Sequence, residues 1–474
     1  MYKSTRDNNK KYSFSEVLLK GIADDGGLFI PEKIPKLTLN QLTQLSDMAY
    51  QKRAVFVLNL FKTGFPKGVI SNIVNQAYST NFDTSLIAPL IHLKDNQYVL
   101  ELWHGPTLAF KDMALQIMPL FFSKAIKKPN RYLILVATSG DTGKAALEGY
   151  KDKENISIIV FYPEKHVSKI QELQMTTQEG ENVSVVAIKD NFDKCQSLVK
   201  EIFNDKRFNN ILKSKFKTTL SSANSINWGR LVPQIVYHVS SYVDLIRMGV
   251  ISAGDQIDIS IPTGNFGNIL AAFYARGMGL PVRKLICASN ANNVLTKFLQ
   301  TGVYDIRNRS LVKTPSPSMD ILVASNIERL LYLLTNNPKQ VSDWMNHLKL
   351  NKFFMVDIAT KNKLKDIFYA DWVSNIDCLK HIKALYSETK YLIDPHTSVA
   401  HIVAERYIAK TNIIKPVIIC STAHWSKFSR SIVNAPRQIK NLSRKKIIHR
   451  QKCSPKIESI KTTILEFLAS HDNI

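Results

Sequence analysis

Hydrophobic and polar positions change rhythm along the chain. Residues 41–79 mix apolar and polar positions at helical spacing, which predicts a mainly helical N-terminal unit. Ahead of it, Ser13-Phe14-Ser15-Glu16 is a capping-box pattern opening a helix through Val17, Leu18 and Leu19, with Gly21 as its stop. Asp24-Asp25-Gly26-Gly27-Leu28-Phe29-Ile30-Pro31 then reads as a tight turn into a short extended piece. Residues 98–103 form a short strand that leads into a Gly-Pro turn. From 132 onward the apolar residues come in short unbroken runs, at 132–137, 156–162 and 183–188, as buried parallel strands do. Helical stretches follow each run, at 144–150, 168–178 and 193–204. The second half repeats the theme, with strands at 257–261, 284–288 and 417–420 and helices at 269–276, 327–334, 341–348 and 398–408. This alternation predicts an α/β fold, a mostly parallel sheet covered by helices on both faces. The basic C-terminal region reads as a short helix pair with a frayed end.

With 474 residues, 45% of them hydrophobic and 22% charged, the chain can build a large core or two to three domains. No stretch holds the roughly 18 consecutive apolar residues a membrane span needs, and the polar start, Met1-Tyr2-Lys3-Ser4-Thr5-Arg6-Asp7, is no signal peptide. A soluble, cytoplasmic protein without a membrane partner is expected. Five scattered cysteines with no C-x-x-C pair argue against a disulfide framework and a zinc site. A net charge of +24 raises the rival class of a nucleic-acid-binding protein. Its densest basic run, residues 443–452, carries no aromatic interleaving, so lysine enrichment on a solvated surface is preferred and no nucleic-acid partner is expected.

Four stretches carry candidate chemistry. His104-Gly105-Pro106-Thr107-Leu108-Ala109-Phe110-Lys111-Asp112 places a lysine at the start of an apolar, helix-compatible run, where desolvation would favour a neutral, nucleophilic amine. The alternative is a surface lysine packed along its helix. Gly264-Asn265-Phe266-Gly267-Asn268 lies between a strand and a helix, a setting that binds phosphate through exposed N–H groups, or is simply a turn. Ser139-Gly140-Asp141-Thr142-Gly143-Lys144 repeats that setting as a second anion or carboxylate candidate. It lacks the first glycine and the Ser/Thr after lysine of an ATP-binding loop. Ser421-Thr422-Ala423-His424 follows a strand end, where ligand sites gather in such sheets, or serves as a helix cap. Neither a G-x-S-x-G nor an H-E-x-x-H signature occurs, and His104, His396 and His424 read as packed or orienting side chains, so no metal is expected.

In this order, these stretches closely resemble the threonine synthase family of fold-type-II enzymes dependent on pyridoxal phosphate (PLP). Ser225-Ile226-Asn227-Trp228-Gly229-Arg230, Ser316-Pro317-Ser318-Met319-Asp320-Ile321, Asp394-Pro395-His396-Thr397 and residues 421–428 extend the resemblance almost end to end. It implies two open, mostly parallel sheet domains behind an N-terminal helical unit, with limits at 1–92, 93–250 and 251–474. It implies that Lys111 forms the Schiff base and moves protons, and that Gly264, Asn265, Phe266, Gly267 and Asn268 hold the PLP phosphate. Thr422 would face the pyridine nitrogen, leaving it unprotonated, and Asp141 would lie near the phenolic oxygen. Ser139, Thr142, Asn227 and Arg230 would bind the substrate's carboxylate or phosphate. The implied substrate is O-phospho-L-homoserine, converted to L-threonine and phosphate by a monomer or homodimer. Another PLP lyase, such as a serine or threonine dehydratase, is the runner-up. It is disfavoured by residues 25–31 and 316–321. Where the family pattern has Pro-Ala, Pro and Phe, this chain has Trp425-Ser426, Ala324 and Ile327.

Overall fold

The computed structural model of the protein describes all residues except 139, 165, 166, 168, 429–445, 450 and 472–474. Two largely parallel sheets organise it. One has five strands in the spatial order Gln451–Cys453, Val183–Ile188, Ile156–Pro163, Arg131–Ala137 and Thr218–Ser221, every pair parallel. The other has six, in the order Phe368–Trp372, Val282–Ser289, Ile257–Pro262, Val417–Ser421, Gln97–Glu101 and Leu90–Lys94, with only the last pair antiparallel. The central strands are buried on both faces, Val183–Ile188 and Ile257–Pro262 along their whole length. That is why they read as unbroken apolar runs.

The expected α/β architecture is therefore present, and so is the helical N-terminal unit. Ser13 and Glu16 close both arms of the capping box on the helix Phe14–Lys20, and Thr38 with Gln41 does the same for Leu39–Ser46. Tyr2–Ser4 pairs with Phe29–Pro31. The unit packs on the long helix Trp228–Arg247, whose Trp228 is wholly buried among the rings of Tyr2, Phe61 and Tyr274.

Four strands of the two sheets escape the apolar-run reading, the short Gln451–Cys453 among them. Leu90–Lys94 is largely exposed, Thr218–Ser221 is short, and Phe368–Trp372 is a half-buried edge strand ending beside Asp371, so none is a continuous apolar run. Among the described residues, the C-terminal region shows one helix of the expected pair. Its described part is a strand, Gln451–Cys453, and a single helix, Ile457–Ser470, whose Ile460 and Ile464 belong to the same buried core cluster as Leu133 and Leu135. Four residues of the basic run 443–452, namely 443–445 and 450, fall outside the described residues.

The sheets also cut across the expected limits at 92, 250 and 251. Gln97–Glu101, inside 93–250, lies in the six-stranded sheet, and Gln451–Cys453, inside 251–474, completes the five-stranded one. An apolar run shows that a strand is buried but carries no record of which parallel neighbour it will meet.

Candidate active site

The lysine stretch is held by the strand that precedes Thr422. Leu102 N donates to Ser421 O (3.0 Å), Phe110 N to Thr422 O (2.9 Å), and His424 N to Leu108 O (3.1 Å). These bonds fix Lys111 and Thr422 to one another through backbone alone. Leu108 adopts a left-handed φ of 57°, a conformation that a branched side chain occupies only when its surroundings impose it. Lys111 then opens the short helix Asp112–Leu115. Asp112 is wholly buried and accepts from Thr107 N (2.8 Å) and Thr107 Oγ1 (2.7 Å), closing the turn. A side chain at Gly105 would place Cβ 2.5 Å from that of Asp112, so only glycine fits there.

Lys111 Nζ lies 3.2 Å from Ser318 Oγ and 3.5 Å from Asp141 Oδ2, and Ser318 Oγ donates to the same Asp141 oxygen at 3.2 Å. Burial lowers the Lys111 pKa below the ordinary lysine value; Asp141 opposes this, and the charges of Lys427 and Arg230 add to it. Asp141 is equally buried. Burial alone would push its carboxyl up, but Lys427 and Lys111 hold it well below the usual carboxylate range. Lys427 Nζ sits 2.8 Å from Asp141 Oδ1 and donates to Thr107 O at 2.7 Å, and the Lys427 and Asp141 side chains are both only 1% exposed. The site thus gathers three cations, Lys111, Lys427 and Arg230, around one firmly ionised carboxylate. Asp112, raised to about 6 by burial against its Thr107 hydrogen bonds, adds a second, weaker acid.

The loop 264–268 stands at the end of the strand Ile257–Pro262 and the start of the helix Gly267–Gly277. Phe266, at φ 63°, turns the chain into that helix and packs its ring against Phe368. A Cβ on Gly264 would lie 2.6 Å from Ser318 O, so glycine lets loop 264–268 and the 316–320 segment touch. Asn326 braces the loop, donating from N and Nδ2 to Asn265 O at 3.2 and 3.0 Å. The buried Arg329 holds Asn326 Oδ1 (2.6 Å), Ile226 O (2.6 Å) and Phe29 O (2.9 Å), tying the loop to the N-terminal unit. His238 Nε2 reaches Asn268 Oδ1 at 2.9 Å, while Asn268 Nδ2 is buried without a protein partner. A helix start with free N–H groups, a close-approach glycine and an unpartnered buried amide fits a bound phosphate. Ser318 joins this loop to Lys111, its carbonyl against Gly264 and its Oγ 3.2 Å from Lys111 Nζ, and the donor set suits PLP.

The structure gathers Lys111, Asp141 and Thr422 with neighbours that sequence reading did not single out: Ser318, Lys427 and Gln171, which donates to Asp141 Oδ1 at 3.1 Å. His396 supports Ser318, accepting from its backbone N at 3.2 Å while its Nδ1 bonds Asp394 Oδ2 at 2.5 Å. All but Gln171 lie within the stretches that carried the resemblance. Their side chains meet only by folding, so no spacing rule marks them. Ser139 lies outside the described residues. Thr142 is half-buried in the first turn of the helix Asp141–Tyr150. Asn227, expected as a substrate contact, has its amide engaged within the protein. Its Oδ1 caps Gly229 N (2.9 Å) and both amide protons go to Leu18 O and Ser222 O (2.9 and 3.2 Å), so it braces the helix start. Arg230 donates to Ala223 O at 2.6 Å, while its buried Nε has no partner.

The departures from the family pattern each make a contact. Ser426 N and Oγ both reach His424 Nδ1, at 3.3 and 2.6 Å, where an alanine would supply only the first. Ala324 N donates to Tyr304 OH at 2.9 Å, which a proline could not do. Trp425 packs on the His424 ring, 4.9 Å between centroids, and Ile327 is buried at the start of its helix.

Strand order, phosphate-type loop and buried lysine together define a PLP-dependent enzyme of fold type II. Residues 87–421 match the family model for pyridoxal-phosphate dependent enzymes, and residues 1–78 match that for the threonine synthase N terminus. The chain is 48% identical to human "Threonine synthase-like 1" over 431 residues, covering 89% of this chain and 58% of the human protein, a little over half its length. It is 38% identical to threonine synthase of Schizosaccharomyces pombe over 466 residues, 91% of this chain and 88% of that one. The solved PLP-bound threonine synthase from Brucella melitensis superposes with a TM-score of 0.90 at 34% identity, over 98% of this chain and 99% of that one. The chain belongs to the threonine synthase family, and its cofactor is PLP. No helix among the described residues is long and apolar enough to cross a membrane.

Proposed function

We propose that this protein converts O-phospho-L-homoserine and water to L-threonine and phosphate, with PLP carried on Lys111. The observation that carries this reading is the placement of Lys111, buried with a lowered pKa and faced by Asp141 and Ser318 beside loop 264–268. When bound, PLP supplies an aldehyde and a ring that withdraws electrons from the substrate's α-carbon.

The chain's own residues supply the rest. Backbone N–H groups of 264–268, with Gly267 and Asn268 at the helix start, hold the cofactor's phosphate. Thr422, pinned through its carbonyl to Phe110 N, offers a hydroxyl rather than a carboxylate to the ring nitrogen and leaves it uncharged. Lys111, displaced by the substrate amine, is a desolvated base able to take a proton from the α-carbon and then from the β-carbon. Ser318 and Asp141 keep its Nζ in place between those transfers. Asp141, clamped by Lys427, would hold the cofactor on the side of its phenolic oxygen. The excess of cations over firmly ionised carboxylates favours a substrate with a dianionic leaving group. Arg230, with a buried Nε to spare, and Thr142 bind that substrate's anionic groups.

The test is to give PLP-loaded protein O-phospho-L-homoserine and follow phosphate and threonine together. Equal release is expected. Phosphate without threonine would replace hydration at the β-carbon with simple elimination, and neither product would remove the substrate assignment.

A further inference from the structure

Away from the PLP site, the helices Asn375–Thr389 and Pro395–Thr411 bring three side chains to one point. His381 Nε2 lies 2.8 Å from His401 Nδ1 and 3.8 Å from Glu405 Oε2, and His401 Nδ1 lies 3.6 Å from that same oxygen. We propose that His381, His401 and Glu405 form a binding site for a divalent transition-metal ion of the zinc class, open to solvent at its remaining positions.

Ligands about 2.0–2.2 Å from a tetrahedral ion sit about 3.3–3.6 Å from one another. Two of the three separations are already within a few tenths of an ångström of that range. The third needs the imidazoles to part by about 0.5 Å, with the ion replacing the proton they share. Backbone geometry favours the arrangement. His401 and Glu405 stand four residues apart on one helix and so share a face, while the neighbouring helix supplies His381. Glu405 is also oriented as metal carboxylates are. Its Oε1 takes a hydrogen bond from Lys94 Nζ at 2.9 Å, leaving Oε2 turned toward the rings. Lys94 further bonds Glu388 at 3.1 Å, so the two carboxylates outnumber the one lysine and an added cation meets net negative charge. The His401 side chain is 1% exposed but those of His381 and Glu405 are 16% and 34%, which gives an ion a path from solvent. Imidazole, imidazole and carboxylate suit zinc, cobalt or nickel better than magnesium or calcium. Among the described residues, this is a convergence of metal-type ligands that the PLP chemistry does not use.

The experiment is a calorimetric titration of Zn²⁺ into the PLP-loaded protein after removal of free PLP. It is paired with thermal melting and repeated with Co²⁺ to read a visible absorption band. One saturable equivalent is expected, with a higher melting temperature on Zn²⁺ addition. His381→Ala, which alters a half-buried side chain, should weaken binding at least about tenfold and remove the thermal shift. Glu405→Gln should do the same. His347→Ala, which removes an exposed histidine on the helix Pro338–Asn351, should change neither readout. Absence of saturable binding in the unaltered protein overturns the proposal. So does an equivalent kept at full affinity in both His381→Ala and Glu405→Gln.

Discussion

The junction after Arg131–Ala137 and the junction after Ile257–Pro262 are built alike, each a buried parallel strand, a glycine-bearing loop and a helix. They flank Lys111 and reach it differently. The first puts Asp141 in the opening turn of its helix, where Lys427 at 2.8 Å neutralises it. The second carries no charged side chain between 264 and 268 and leaves its N–H groups to whatever anion enters. One carboxylate therefore separates a helix start that manages the charge of a lysine from one that receives a phosphate. Local architecture sets where a site lies, and side-chain charge sets which ligand it takes.

Lys111 meets the first junction through Asp141 and the second through Ser318, so its removal has the largest expected effect. Lys111→Ala should lower turnover by about 10²–10⁴-fold or more and abolish the borohydride-reducible attachment of PLP, read by intact mass. Next comes the charged junction. Asp141→Asn leaves Lys427 buried without its counterion and should cost about 3–5 kcal/mol of stability in urea unfolding. The double variant Asp141→Asn/Lys427→Met should recover much of that. A double variant no more stable than the single one would show that the pair is not the source.

The neutral junction should respond through shape instead. Gly264→Ala forces the 316–320 segment away, because its Cβ would lie 2.6 Å from Ser318 O. About 1–3 kcal/mol of strain and a weaker PLP affinity are expected, measured by fluorescence titration. The smallest effect is titration of His238, which braces Asn268. Burial lowers its pKa to about 4 from 6.5, so the unfolded chain binds a proton that the native protein refuses. This stabilising contribution is present above 6.5 and is lost as pH falls toward 4. His238→Gln should therefore lose less stability than the unaltered protein between pH 7 and 4.5.

The two junctions also show how far the chain could be read unaided. Each was visible as an apolar run broken by glycines before a helical stretch, and the lysine was visible from its place between a Gly-Pro turn and an apolar helix. Lys427 and Ser318 were not visible as partners of Asp141, although they stand 286 and 177 residues from it, inside stretches already recognised. The partners of Asn227 were hidden for the same reason. An asparagine before Trp-Gly-Arg does not show that Leu18, in another unit, will take one of its amide protons.

By itself, the sequence determined the elements and the class of chemistry. Apolar runs, capping boxes and glycine loops act over a few residues, and the family stretches keep their order along the chain. The tertiary structure alone decided which sheet each strand joined, moving Gln97–Glu101 and Gln451–Cys453 across the expected domain limits. It also decided the electrostatics at Lys111 and the meeting of His381 with His401 and Glu405. Burial and ion pairing depend on distance in space, and parallel sheets bring together residues that no local pattern links.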